Sequence, residues 1–309
     1  MVTVDDTPGV HHVTGIVGDA QATVDFYAGT LGMRFVKRTV DFEDRFAYHL
    51  YFGDETGAVG SVLTFFPFPG EVPGRVGTPQ IATASLAVPP ESLDYWQDRF
   101  AERAVEHDQP TERFGERVLP FRDPEGTHLE LVATDGPTEP WTGGEVPTEH
   151  AVRGVHGVAV QSASPYVTAS LLETFGLELA AETDRRARYR APERGSVVDV
   201  RLEGAEFGRE GAGSLHHVAL GVESETALHE WRDLLADRED CRVSRVTDRH
   251  FFDSLYVRDG GGILFELATE PTDLTHDDPA PGEHLYLPPR FEEDRAVIER
   301  QLPELTLPE

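Results

Sequence analysis

Gly9-Val10-His11-His12-Val13-Thr14 is an apolar run carrying two adjacent histidines, and it returns near the other end of the chain as Ser214-Leu215-His216-His217-Val218-Ala219. Two runs of the same kind stand between them, Ile81-Ala82-Thr83-Ala84-Ser85-Leu86 and Gly154-Val155-His156-Gly157-Val158-Ala159. All four read as strands. Each is followed by a turn and then, in three of the four units, by apolar residues at i, i+3 and i+7: Val24, Tyr27 and Leu31, then Leu93, Trp96 and Phe100, then Leu228, Trp231 and Leu235. That spacing is the buried stripe of an amphipathic helix. The third helix, around Leu171 to Phe175, is looser. Asp19 is placed to cap the first helix, and Gly32 and Gly176 to stop the first and third. Further strand-like runs close each unit, such as Phe46 to Phe52 and Ser61 to Phe66 in the first, and Ser254 to Val257 and Gly262 to Ala268 in the fourth. Each unit reads βαβββ, and the fold class is α+β.

Units spaced by roughly 60 to 75 residues are too long for a common solenoid and fit duplicated modules better. Thr134 to Arg153, rich in Pro, Gly, Thr and Glu, reads as the linker that divides the chain. The expected organisation is an N-terminal pair of modules over 1–140, at about 9–70 and 80–134, and a C-terminal pair over 150–309, at about 153–203 and 214–270. A polar, Pro-rich tail follows Glu270, with a short helix expected near Glu292 to Leu302.

The 309 residues carry 56 Asp+Glu against 27 Lys+Arg, a formal net charge of -29, so nucleic acid is excluded as a partner by charge. With 39% apolar residues the chain nonetheless has a core to bury. Lys37 is the only lysine, and an acidic, arginine-based composition of this kind points to a halophilic protein. At molar salt the Debye length falls to about 3 Å, which screens the self-repulsion of such a surface. The unfolding midpoint is therefore expected to rise between dilute buffer and molar salt; equal midpoints would contradict this. No apolar run reaches the roughly 18 to 20 residues of a membrane span, and Met1 to His12 shows no basic or apolar leader, so the expected location is the cytoplasm. A single cysteine, Cys241, excludes an intramolecular disulfide and a multi-thiolate metal site.

Metal chemistry must then use imidazoles and carboxylates. Glu266 lies within the apolar run Gly262-Ile263-Leu264-Phe265-Glu266-Leu267, where an unpaired charge would cost several kcal/mol. His217, 49 residues earlier, and His12, at the equivalent place of the first unit, could supply two imidazoles beside that carboxylate. Two His and one carboxylate form the facial triad of non-haem Fe(II) oxygen enzymes, with Mn(II) as the second candidate and Zn ranked below both. A histidine at a strand start also serves as a hydrogen-bonded structural residue, and spacing alone leaves both readings open. Glu130, beside Asp123-Pro124-Glu125-Gly126, reads as a degenerate copy without metal. His49, His107, His128, His229 and His276 have no paired context and read as structural or solvated. Gly260-Gly261-Gly262 is a strand connection, since no helix or Lys follows it.

Residues 10 to 69, with Val10-His11-His12-Val13-Thr14, Val24-Asp25-Phe26-Tyr27 and Tyr48-His49-Leu50-Tyr51-Phe52-Gly53-Asp54-Glu55-Thr56-Gly57, resemble the ring-cleaving dioxygenases of the vicinal oxygen chelate superfamily, the glyoxalase and extradiol dioxygenase group. The likeness is to the hydroquinone and chlorohydroquinone branch. It continues through Leu215-His216-His217-Val218-Ala219, Asp248-Arg249-His250-Phe251-Phe252-Asp253-Ser254-Leu255-Tyr256 and Gly261-Gly262-Ile263-Leu264-Phe265-Glu266-Leu267-Ala268-Thr269, and so covers most of the chain. The resemblance implies two glyoxalase-like domains and Fe(II), sometimes Mn(II), held by His12, His217 and Glu266. It also implies catalytic roles beside the metal for His11, His216, Arg249 and Tyr256, and a small aromatic diol and O2 as substrates; a homo-oligomer is left open. Alternation along a strand argues against His11 and His216 facing the way His12 and His217 face, unless the strand start is irregular. Asp253 and Gly260 depart from the family pattern, so a changed pocket rim is expected there. Two other activities occur in the superfamily: metal-dependent lyases or isomerases that use no O2, and non-catalytic drug-binding proteins.

Overall fold

The computed structural model describes residues 4–270, 274–275 and 280–308, so His276 and part of the Pro-rich tail lie outside the described residues. The first module runs β1 (Val10–Val17), α1 (Ala20–Val24), β2 (Arg34–Val40), β3 (Tyr48–Gly53) and β4 (Val62–Pro67), with a π-type turn Asp25–Thr30 continuing α1. The second has β5 (Gln80–Val88), α2 (Leu93–Glu102), β6 (Thr111–Arg113), β7 (Glu116–Arg122) and β8 (His128–Ala133). The third has β9 (Val155–Gln161), α3 (Pro165–Thr174), β10 (Glu178–Glu182), β11 (Arg186–Arg190) and β12 (Val197–Arg201). The fourth has β13 (Ser214–Val222), α4 (Glu225–Ala236), β14 (Cys241–Val243), β15 (Thr247–Asp248), β16 (Asp253–Asp259) and β17 (Leu264–Thr269). In the tail a 3-10 segment, Pro289–Asp294, leads into α5 (Arg295–Gln301).

Helix ends follow the local chemistry. The Asp19 side chain accepts from the Ala22 N–H at 3.0 Å, and Ser224 accepts from Ala227 at 3.2 Å, each satisfying an N-terminal donor that the helix itself cannot. Gly32 ends the first helical segment at φ +67, where a Cβ would also strike Val146 at 2.6 Å. The helical stripes are the core: Tyr27, Leu31, Leu93, Trp96, Phe100, Leu228 and Leu235 are all fully buried. Burying each such large apolar side chain contributes about 2 kcal/mol. Phe26 to Leu31 departs from the regular helix that the spacing suggests, because the Leu31 N–H reaches back five residues to the Phe26 carbonyl. The linker holds no helix or strand, yet it is tied down: Val146 and Ala151 are buried, and Trp96 Nε1 donates to the His150 carbonyl at 3.0 Å.

Strand pairing joins modules that are distant in sequence. β1 pairs antiparallel with β13, and β5 with β9. Each of these first strands also has its own module's last strand beside it in parallel: β4 by β1, β17 by β13, β8 by β5 and β12 by β9. Modules one and four therefore share one half of the sheet and modules two and three the other, joined by the pairing of Leu215 with Ile81. The β1/β13 register is broken twice. Val10 pairs with Leu220 and His12 with Ala219, leaving His11 extra; Thr14 pairs with His217 and Gly15 with Leu215, leaving His216 extra. These are β-bulges, and they fall on the first histidine of each pair.

Candidate metal centre

His12 on β1, His217 on β13 and Glu266 on β17 converge. His12 Nε2 lies 3.1 Å and His217 Nε2 3.0 Å from Glu266 Oε2, and all three side chains are at most 5% exposed. The two bulges supply the orientation. His11 Nδ1 lies 2.8 Å from His12 Nδ1, and His216 Nδ1 lies 2.8 Å from His217 Nδ1. His11 Nε2 also faces the Thr269 carbonyl at 3.2 Å, so that nitrogen donates. His11 Nδ1 then accepts, His12 Nδ1 carries the proton, and a lone pair is left on His12 Nε2. The irregular strand start that the alternation argument allowed for is present here: a bulge turns each first histidine toward its neighbour.

The electrostatics describe an electron-rich cluster suited to a cation. Burial lowers His11 to about 3, with His12 adding to the effect, and burial likewise lowers His217. His216 falls to about 4, through burial and the adjacent His217. Burial pushes Glu266 upward, but His217 and the contacts from both imidazoles outweigh it and hold the carboxyl well below its ordinary range. An imidazole nitrogen that bears a lone pair and a carboxylate oxygen are both acceptors and cannot bond one another. His217 Nε2 and Glu266 Oε2 are in fact buried without a hydrogen-bond partner, a costly arrangement that a bound cation relieves. The three ligand atoms lie within 4.8 Å of one another, and the donor set suits a divalent transition metal with positions left open.

A narrow cavity opens on this trio, walled by Phe42, Phe66 and Phe252 and reached by Arg249, Tyr256, Asp41, His49 and Tyr51. Tyr256 pairs with Glu266 across β16 and β17, and its ring meets that of His217 edge-on at 5.2 Å. Burial and the Glu266 charge raise its phenol, so the hydroxyl keeps its proton. The Arg249 guanidinium stands 5.3 Å from the Tyr256 ring and 4.0 Å from the Glu43 carboxylate. His11 and His216 stand behind the imidazoles of His12 and His217 and do not line the cavity.

His49 corrects the sequence reading. It is buried, accepts or donates at Thr64 Oγ1 (3.0 Å) and at the Tyr51 hydroxyl (3.0 Å), stacks on Phe66 at 4.1 Å and lines the cavity. Thr64 in turn bonds Thr14 at 2.8 Å. The available signal was the period-two placing of His49 and Tyr51 on one face of β3. The changed rim expected at Asp253 and Gly260 is not found, since neither lines the cavity: the Asp253 N–H bonds Thr269 Oγ1, and Gly260 stands beside Asp240 and Val167.

Comparison with known proteins agrees with this geometry. Residues 9–131 match the model of the Glyoxalase/Bleomycin resistance protein/Dioxygenase superfamily. The chain is 40% identical over 301 residues, 96% of each chain, to a Bacillus subtilis protein named "Putative ring-cleaving dioxygenase MhqO". It is 34% identical over 284 residues, 87% of each, to the chlorohydroquinone/hydroquinone 1,2-dioxygenase of Sphingobium indicum. The crystal structure of a "putative dioxygenase" from Bacillus subtilis matches with a TM-score of 0.93 at 39% identity over 99% of both chains. Glyoxalase I from Zea mays, at 15% identity and a TM-score of 0.64 over 84% of this chain and 92% of its own, shares the fold. With paired βαβββ modules, a buried His-His-Glu trio and full-length relatives above 30% identity, the chain belongs to the glyoxalase/bleomycin resistance protein/dioxygenase superfamily.

Proposed function

We propose that this protein is an Fe(II)-dependent, extradiol-type ring-cleaving dioxygenase, with Mn(II) as the alternative metal, acting on a hydroquinone-like or catechol-like diol in the cytoplasm of a halophile. The observation that carries the reading is the convergence of His12, His217 and Glu266 with unpartnered, buried acceptor atoms at the foot of an aromatic-walled cavity. Relatives named for ring cleavage, among them the hydroquinone dioxygenase, support the choice of reaction.

His12, His217 and Glu266 would hold the metal; bound there, it supplies open positions for a diol oxygen and for O2 and the electron exchange between them. The remaining work falls to the chain. Phe42, Phe66 and Phe252 enclose a flat ring and exclude water. Tyr256, held protonated, donates to an oxygen of the substrate or to oxygen-derived charge as it develops. Arg249 orients Tyr256 and offsets phenolate charge. A para-diol presents one hydroxyl to the metal-facing side, so its far hydroxyl needs a protein partner; Tyr51 and His49 lie on the cavity wall, backed by Thr64, and the chain can hold a proton at either His49 nitrogen. Both atoms of one O2 enter the ring-opened unsaturated acid, so one O2 is consumed per ring.

Tyr256→Phe removes the hydroxyl and leaves the ring packing in place. Its kcat is expected to fall about 10- to 1000-fold with metal content unchanged, a range set by the loss of one acid or one transition-state donor. Unchanged kcat would remove the role. An oxygen-independent lyase or isomerase is distinguished by turnover in the absence of O2: the proposal requires that ring opening stop under anaerobic conditions and resume on admission of air.

A further inference from the structure

The sheet half built from modules two and three keeps the architecture of the metal half and changes its charge. Its first-strand register breaks at the equivalent places, leaving Ala82 and His156 extra where the other half has His11 and His216. By the same register Thr83 stands where His12 does, Gly157 where His217 does, and Asp199 where Glu266 does. Arg188 faces Asp199 across the strands as Tyr256 faces Glu266. Cationic side chains fill this half. Arg188 grips Asp199 with two bonds, 2.8 and 3.0 Å, and also contacts Glu116; Arg186 reaches Asp199 at 3.0 Å; Arg113 pairs with Glu130.

Arg201 is the residue these pairings do not use up. Its Nη2 donates to Thr83 at 2.9 Å, but its Nε is buried and has no hydrogen-bond partner. Two cavities of about 220 and 610 Å³ open here, and Arg113 and Arg201 line both. Four guanidinium groups, of Arg113, Arg185, Arg186 and Arg201, line the larger cavity of this half against the two carboxylates of Glu112 and Glu203, a local cationic excess in a chain of formal net charge -29, whereas in the smaller cavity Arg113, Arg122 and Arg201 are matched by Glu106, Asp108 and Glu130. Burial lowers the Arg201 guanidinium, and repulsion from Arg186 lowers it further, so an added negative charge would be favoured at this position.

We propose that this second cup is a binding site for a small oxyanion, a carboxylate or a phosphate, with Arg201 as its principal ligand and Arg113 and Arg186 at its rim. The planar guanidinium fork matches two oxygens of either group. The inference is independent of the reading given to the metal centre. It is tested on the full-length, metal-loaded protein by isothermal titration calorimetry with sodium succinate and, separately, inorganic phosphate, at fixed chloride. The expected result is one saturable site per chain for at least one titrant, the tighter one naming the source of the oxyanion. Binding should weaken about tenfold or more in Arg201→Gln, because a charged hydrogen-bond partner is lost, and should persist in Glu266→Gln. Arg201→Lys, which keeps the charge and loses the fork, is the second variant should Arg201→Gln fail to fold, and it too should bind more weakly at an unchanged unfolding midpoint. Absence of saturable binding for both titrants, undiminished binding in the Arg201 variant that folds, or loss of binding in Glu266→Gln would overturn the proposal.

Discussion

Replacing Glu266 with Gln is expected to leave a folded protein that neither retains metal nor turns over. The amide keeps the shape of the carboxylate but removes the charge that two neutral imidazoles face, and its N–H can donate to His12 Nε2 or His217 Nε2, occupying a lone pair that a metal needs. Metal content after loading and desalting should fall from about one ion per chain to background. Turnover should fall about a thousandfold or more, the loss of roughly 4 kcal/mol or more of metal-assisted stabilisation. Glu266→Asp, which keeps the charge on a shorter stem, should recover part of both. A Glu266→Gln variant with full metal content and an unchanged rate would contradict the assignment.

The second large effect concerns stability and pH. In the metal-free fold three buried histidines, His11, His49 and His217, and the half-buried His216 are held neutral below their ordinary 6.5; His11 falls to about 3 and His216 to about 4. An unfolded chain takes up these protons near 6.5 and the folded chain does not. The unfolded state therefore binds more protons below that value, and the stability the neutral imidazoles provide is complete above 6.5 and lost as pH falls toward 4. For His11 alone the loss by pH 4 is about 3 kcal/mol. Glu266, also depressed, adds a loss of the same sign at still lower pH. Unfolding midpoints of metal-free protein should fall steeply between pH 6.5 and 4, and bound metal should raise them and move the fall to lower pH, since protons and metal compete for the same nitrogens. A flat profile over that window would show that these imidazoles are not held neutral.

Much of this was legible before any coordinates. The fourfold βαβββ plan could be read because three of the four helices repeat one apolar spacing and each first strand opens on a similar run; Trp96, Trp231 and their neighbours fill the core as that spacing requires. Glu266 could be read as needing a partner because it is a carboxylate in an apolar strand, whereas spacing leaves its pairing with His12 and His217 open and the family resemblance implies it. Other features were hidden for identifiable reasons. A β-bulge adds one residue without marking the sequence, so alternation alone could not say that His11 and His216 turn toward His12 and His217. His49 shares a face of β3 with Tyr51, which its period-two spacing marks, but that this face meets the cavity follows from strand pairing in module one. The arginine cup likewise needs Arg113, Arg186, Arg188 and Arg201 from three strands of two modules, and in a chain this acidic each one reads singly as a surface ion pair.

The most direct test of the central claim is oxygen uptake at molar salt after anaerobic loading with Fe(II), with hydroquinone and catechol compared against a no-metal control. The account predicts one O2 consumed per diol by the loaded protein and no consumption without metal. One metal ion bound per chain with no oxygen uptake on either diol would contradict it, and would favour the oxygen-independent chemistry of the same superfamily.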